Sequence, residues 1–297
     1  MGLRPVTTRA HRIGLVLDVG MSDSAMLRHL QVANAARGTL GVEVSDYVVT
    51  DEPLGVELAM TPSGASWGTM ARPDALLRAA KRLVVECGCT ALALVAEFPD
   101  DEDEEMLEAY RHGVGVDAVG GVEAIISHLV TSELGVPCAH APALPPLDVD
   151  EGVSPRACAE ELGYTFLPCV LANLRRAPFL VEQPDPNVAA SKEASGDDVW
   201  ASNVKAVVVP SSACGGSAVL SLSRRNVLLV VVEENETTMK ATPEVLGFPL
   251  RPLGGGDGCT VLRVRSYLEA AGVLAAHRAG IMPAALTASS SPVKRLT

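Results

Sequence analysis

Continuous apolar runs of five to seven residues alternate along the chain with stretches whose apolar positions recur every three to four residues. Ile13 to Val19 reads as a strand, followed by Ser22 as an N-cap and a helix carrying Leu27, Leu30, Ala33 and Ala36. Val44 to Val49 is the next strand, and the Gly-, Pro- and Ser-rich residues 50–73 read as a long loop. Pro73 leads a helix through Ala75 to Val85, and Thr90 to Ala96 is a run of the kind found in buried strands. The acidic run Asp100 to Glu105 opens a helix ending near His112, where its charges suit a helix N-terminus. Gly120 to Leu134 forms a helix with Val122, Ile125, Ile126 and Leu129 on one stripe, and Val136 to His140 a strand.

Four prolines between Ala141 and Arg156 interrupt the pattern, and the lobe boundary is placed there. The expected organisation is an N-terminal lobe over residues 1–145, a C-terminal lobe over 146–282 and a flexible tail over 283–297. The second half predicts helices at Pro155 to Leu162 and Leu167 to Val181, then a polar linker from Glu182 to Asp198. A strand at Val204 to Val209, a helix at Cys214 to Leu222, a strand at Val227 to Val232 and a last helix from Arg265 to Ala279 complete it. Strand and helix in alternation predict an α/β fold of mostly parallel sheet layers flanked by helices, in two lobes.

Composition narrows the partners. The chain has 297 residues, 36 acidic against 24 basic, for a net charge of −12, and only 3% are aromatic. Its field repels polyanions and it offers few stacking platforms, so nucleic acid and anionic membrane are excluded as expected partners. Seven cysteines, mostly inside apolar runs, imply a reducing compartment. No secretory leader or bilayer-length apolar stretch is read, so the expected location is cytoplasmic, or an organelle stroma if a transit peptide has been cut. A mean hydropathy of +0.24 admits a homo-oligomer.

Three segments carry candidate chemistry. VVVPSSACGGS, residues 207–217, runs from a buried strand through small residues into a helix, whose outward N–H groups would accept a carboxylate or phosphate; Ser211, Ser212, Cys214, Gly215 and Gly216 are the candidate ligand contacts. The competing reading is a tight connection whose small residues serve packing. Cys214 at a helix start could also be an activated thiol. The second segment carries Glu123, His128 and His140 as candidate catalytic residues. Glu123 and His128 point about 140° apart on a helix and share a site only at a bend, while Ser127 stands four residues from Glu123. His140 is expected at a strand carboxyl end, where α/β sheets bind ligands, and could converge with His128 as an acid/base pair or as metal ligands. Otherwise each is a hydrogen-bonded structural histidine. In the third segment, VEENETT at 232–238, Asn235 and Thr237 would orient a polar ligand and Glu233 or Glu234 would act as base. The segment from Met60 to Gly68, with Trp67 among small residues, is a candidate lid. The glycine-rich Gly254 to Gly258 lacks the marks of a phosphate loop.

These regions and two others resemble a family of unknown function found mainly in photosynthetic organisms. The resemblance rests on GGVEAIISH (120–128), CAHAP (138–142), FLPCVLANLRRAP (166–178), VVVPSSACGG (207–216), VVVEENETT (230–238) and VRSYLEAAG (264–272), and spans most of residues 11–281. It implies a complete family member and transfers no activity. The residues themselves predict a soluble enzyme acting on a small anionic metabolite bound between the lobes, by hydrolase, isomerase or lyase chemistry, with cofactor and metal unknown. The alternative is a non-catalytic small-molecule-binding or assembly protein.

Overall fold

In the computed structural model, five-residue apolar runs become strands buried on both faces. The structure describes residues 1–7, 10–62, 64–99, 104–144, 148–155, 157–158, 166–182, 196–235, 237, 239–248 and 259–286. The chain divides into two compact units, Met1–Val199 and Trp200–Thr297.

The first unit holds β1 (Gly2–Arg4), β2 (Ile13–Leu17), α1 (Asp23–Leu40), β3 (Val44–Val49), β4 (Val56–Met60), β5 (Ser66–Met70) and α2 (Pro73–Val85). Then follow β6 (Ala91–Glu97), α3 (Glu104–Arg111), α4 (Gly120–Leu134), β7 (Cys138–Ala143), α5 (Phe166–Leu174) and β8 (Phe179–Val181). Four of these strands form a parallel sheet in the order β3-β2-β6-β7. Period-two alternation divides its side chains between two cores. Val16, Leu92, Leu94 and Ala96 pack under α2 and α4, against Leu76, Leu83, Val122 and Ile126. Ile13, Leu15, Ala93, Val95 and Ala141 pack under α1 and α5, against Ala33, Leu167 and Leu171. Fully burying one such Leu or Ile contributes about 1.5–3 kcal/mol. α1 begins as expected, with the Ser22 hydroxyl accepting the Ala25 N–H at 3.2 Å, and ends at Gly41 in the left-handed region.

The first expected boundary does not interrupt this unit. α5 lies beyond residue 145 yet packs on β6, β7 and α1, so the unit continues to Val199. The region read as one loop over 50–73 contains an antiparallel hairpin, β4 paired to β5 from Val56↔Met70 to Met60↔Ser66. The helix expected over Leu167 to Val181 stops at Leu174, and β8 pairs with β1. Pro178 explains the stop, because a proline disfavours helical backbone in the residue before it.

The second unit holds β9 (Ala206–Pro210), α6 (Ser217–Ser223), β10 (Leu228–Val232), β11 (Thr260–Val264) and α7 (Tyr267–Arg278). Its strands are parallel in the order β11-β10-β9, with β10 buried throughout. Leu229 and Val231 face a core with Val219 and Cys214, while Val230 and Val232 face Ala270. β11 was not anticipated. Pro283–Leu286 form a short 3-10 turn at the start of the expected tail; residues 287–297, most of the 155–162 helix, most of the 182–198 linker and the 254–258 glycines lie outside the described residues. Among the described residues, no helix is long and apolar enough to cross a membrane.

Candidate functional site

Four residues advance a helix by about 400°, so α4 stacks Glu123 and Ser127 on one face. Helix α4 packs on β7, whose alternation turns Ala141 into one core and Cys138 and His140 toward the other. His140 therefore enters between the two helix side chains. Its Nε2 lies 3.1 Å from Glu123 Oε2, and its Nδ1 is hydrogen-bonded to Ser127 Oγ. With Glu123 ionised, the chemically consistent tautomer carries the proton on Nε2 and donates it to the carboxylate, while Nδ1 accepts from the Ser127 hydroxyl. The side chains of His140 and Glu123 keep 23% and 13% of their surface exposed, so solvent reaches the pair, whereas Ser127 is buried.

Asp117 adds a second carboxylate. It accepts the Val119 N–H at 3.0 Å at the start of α4. Burial, and then the charge of Glu123, push its carboxyl above the usual range. The hairpin is pressed onto the same end of the helix. Gly121 N–H donates to Ser66 Oγ at 3.1 Å, and a Cβ on Gly121 would lie 2.1 Å from the Ser66 carbonyl oxygen. Trp67, the lid candidate, stands on this hairpin with 44% exposure.

His140 differs from the expectation in position. It is the third residue of a strand that continues to Ala143, and it points at a helix instead of standing at the carboxyl end. Pro142 read as a terminator, but β7 is an edge strand, where a missing N–H is tolerated. His128 is exposed, a quarter-turn beyond Ser127, and both nitrogens of His140 are taken by other groups. The His128–His140 pair is therefore not formed; the group that assembles is Glu123, Ser127, His140 and Asp117.

His11 and His29 offer a comparison inside the molecule. Both are fully buried, and each gives a ring nitrogen to a backbone carbonyl, Ala177 at 2.7 Å and Ala25 at 2.8 Å. These are structural histidines. His140 instead bonds an ionisable side chain and a hydroxyl at a reachable position.

The carboxyl end of the central strand β2 also escaped notice. The connection from β2 leads to β3 on one side and that from β6 leads to β7 on the other, so the carboxyl ends of β2 and β6 flank a topological switch point. Buried Asp18 sits there. Its carboxylate accepts N–H bonds from Gly20 at 3.0 Å, Leu54 at 3.1 Å and Glu97 at 3.4 Å, so it ties three loops together.

In the second unit the parallel strands bring their carboxyl ends to one edge, and most of the expected ligand contacts gather there. Ser211 N–H donates to the Val232 carbonyl at 2.9 Å. Ser212 Oγ accepts the Thr237 N–H at 3.0 Å and lies 2.9 Å from Thr237 Oγ1. Asn235 Nδ2 donates to Tyr267 Oη at 2.7 Å, and Glu234 accepts the Tyr267 N–H at 2.7 Å. These polar groups are largely satisfied by one another. The Cys214 thiol is fully buried, with its pKa raised by desolvation, and its N–H donates to Ala241 O at 2.8 Å. Cys214 thus precedes α6 in a turn and belongs to the core. A Cβ on Gly215 would stand 3.1 Å from that of Ala241, so this glycine serves packing, whereas nothing stands within 4 Å of one on Gly216. Glu233 lies 3.9 Å from Arg263, which also pairs with Glu244 and holds that carboxyl down at about 2.

One group of metal-capable side chains gathers among the described residues: Glu108, His112 and Asp150. His112 Nδ1 donates to the Glu108 carbonyl at 2.9 Å, its Nε2 lies 3.2 Å from Asp150, and Arg111 takes the Glu108 carboxylate at 2.9 Å. The backbone bond first, and then the two carboxylates, raise the His112 pKa. The arrangement reads as an exposed ion network.

The chain is similar to an uncharacterised lipoprotein of a Synechococcus strain, 45% identical over 285 residues, which span 96% of this chain and 73% of the relative. No solved structure matches. A family model described as "Protein of unknown function (DUF3326)" matches residues 1–287. Its reach over nearly the whole chain accounts for the six shared motifs, which fall in both units, and the chain belongs to this family.

Proposed function

We propose that the chain is an α/β enzyme that transfers a proton at the Glu123–His140 pair on a small metabolite. One observation carries this reading: the Glu123 carboxylate lies 3.1 Å from His140 Nε2, on a ring that Ser127 holds from its other nitrogen, while both members of the pair stay partly exposed. Glu123 takes or gives the proton at its carboxylate, and the His140 Nε2–H that donates to this carboxylate orients it and stabilises its ionised form. Ser127 is buried in mid-helix and acts as a positioning residue. The neighbouring carboxylate of Asp117 makes the locale negative, which favours substrates that present a neutral or cationic group to the pair. Any anionic group would be held elsewhere on the molecule. The edge of the second unit supports such a role only through Gly216, since Ser212 and Thr237 engage each other and Cys214 is buried.

The test needs no prior substrate. The purified protein, His140→Gln and Glu123→Gln are each incubated with a soluble metabolite extract from a cyanobacterium, and mass spectrometry follows the pool with time. The expected result is at least one metabolite consumed by the wild type and spared by both variants. Identical profiles for wild type and His140→Gln, or no change in any metabolite, would refute the proposal.

A further inference from the structure

The LRRAP segment, residues 174–178, contributes nothing to the His140 site. It lines an open cleft of about 730 Å³ in the first unit, together with Leu3, Val6 and Val199. That volume lies within the usual range for small-molecule sites. The cleft adjoins α5, in the layer across the sheet from α4 and the inward face of His140.

The scaffold around the cleft is tightly tied. Leu3 and Val199 exchange backbone hydrogen bonds of 2.9 and 2.8 Å. Arg4 grips the buried Asp198 with two bonds, 2.7 and 2.8 Å, which neutralises that guanidinium. The His11 ring stacks 4.1 Å from Phe179 and bonds the Ala177 carbonyl, fixing the backbone that carries the arginines. On this floor stand Arg175 and Arg176. Arg175 donates one bond to the Leu40 carbonyl at 2.8 Å, exposed Arg176 makes no side-chain bond, and neither has a carboxylate partner among the described residues. The two arginines thus set positive charge beside a water-exposed apolar surface in a chain with 36 acidic side chains. Leu3 and Val199 keep 43% and 45% of their surface open.

We propose that this cleft binds an amphipathic anion, with a carboxylate or phosphate head on Arg175 and Arg176 and an aliphatic body against Leu3, Val6, Pro178 and Val199. Guanidinium groups match the geometry of both heads, and burial of the aliphatic body supplies the hydrophobic part of the affinity. The inference is independent of any chemistry at His140.

The test is isothermal titration of the whole chain with decanoate and with decyl phosphate, below the concentrations at which they form micelles. Acetate and inorganic phosphate supply the head alone, and decanol the body alone. The expected result is saturable 1:1 binding of decanoate, decyl phosphate or both, at least tenfold tighter than any control. Whichever decyl compound binds identifies the head. Arg176→Gln should weaken binding about tenfold and Arg176→Glu should weaken it further; neither removes a bond from the folded protein, and thermal melts verify that both are folded. Val6→Asp should weaken binding through the body. Absence of saturable binding by both decyl compounds, equal binding of decanol, or unchanged affinity in folded Arg176→Glu would overturn the proposal.

Discussion

Gly120→Ala and Gly121→Ala, adjacent changes in the first turn of α4, should have opposite effects. Replacing Gly by Ala in a helix gains up to about 1 kcal/mol from backbone propensity. At residue 120 the atoms nearest the new methyl belong to the Asp117 side chain, the closest a carboxylate oxygen 3.3 Å away that needs to give by only a few tenths of an ångström. At residue 121 it would lie 2.1 Å from the Ser66 carbonyl oxygen, 2.4 Å from its carbon and 2.6 Å from the Trp67 Cα, all backbone. Restoring ordinary contact requires the hairpin and helix to part by more than about 1 Å. Forcing a methylene into a well-packed contact costs about 1–3 kcal/mol, and rigid backbone on both sides puts this case at the upper end. After the propensity gain, a net loss of about 2 kcal/mol remains, which for a unit of this size lowers the melting temperature by about 4–8 °C. Calorimetry measures the shift, and Trp67 emission in a Trp200→Phe background reports whether the hairpin has lifted. If Gly121→Ala melts within about a degree of the wild type and emits identically, the backbone contact between hairpin and helix is not as described.

Three further predictions rest on titration and access. His29 is buried and burial lowers its pKa, so the unfolded chain binds the extra proton first; stability should fall as pH drops below the ordinary histidine value of 6.5, and His29→Gln should flatten that slope in urea titrations at pH 5 and 7.5. Asp117 has its pKa raised, the reverse case for a carboxyl, so its contribution to stability weakens as pH rises above the ordinary value of 3.8; Asp117→Asn should reduce that loss and leave the pH 7 melting temperature unchanged or higher, and a marked drop would show that the carboxylate is needed ionised. Cys158 and Cys169 are exposed, whereas Cys214 and Cys259 are buried with raised thiol pKa, and Cys138 is pushed up to about 12. Iodoacetamide should therefore label the first two in the native state and the others only in denaturant, as read by peptide mass spectrometry; rapid native labelling of Cys214 would restore it as a ligand contact.

The parallel sheets were legible because each central strand is an unbroken apolar run, buried on both faces, between helices of clear period. The short strands were not. β4 and β5 read Val-Glu-Leu-Ala-Met and Ser-Trp-Gly-Thr-Met, one face wet and the other holding Gly68 where the Val122 side chain of α4 approaches, so the apolar alternation is faint. β8 was absorbed into the helix before it because Phe179 to Val181 continues that helix's apolar character, and only Pro178 marks the break. In the site, the four-residue step from Glu123 to Ser127 was visible, but the partner that makes it meaningful comes from another element. Pro142 seemed to end the strand at His140, and nothing local shows that an edge position excuses it. Asp117 and Asp18 act through backbone amides of neighbouring loops, contacts that leave no spacing signature in the chain.

The pairing of β1 with β8 and Val199 joins residues nearly two hundred positions apart. During synthesis the first strand waits, without a partner, until almost the whole first unit has left the ribosome. The entropic cost of closing so long a loop rises only as the logarithm of its length, so the delay is mainly one of time. The corner with the paired guanidinium clasp is therefore among the last parts of the unit to assemble, and a lesion at Arg4 or Asp198 would release the chain's opening residues while the central parallel sheet stays whole.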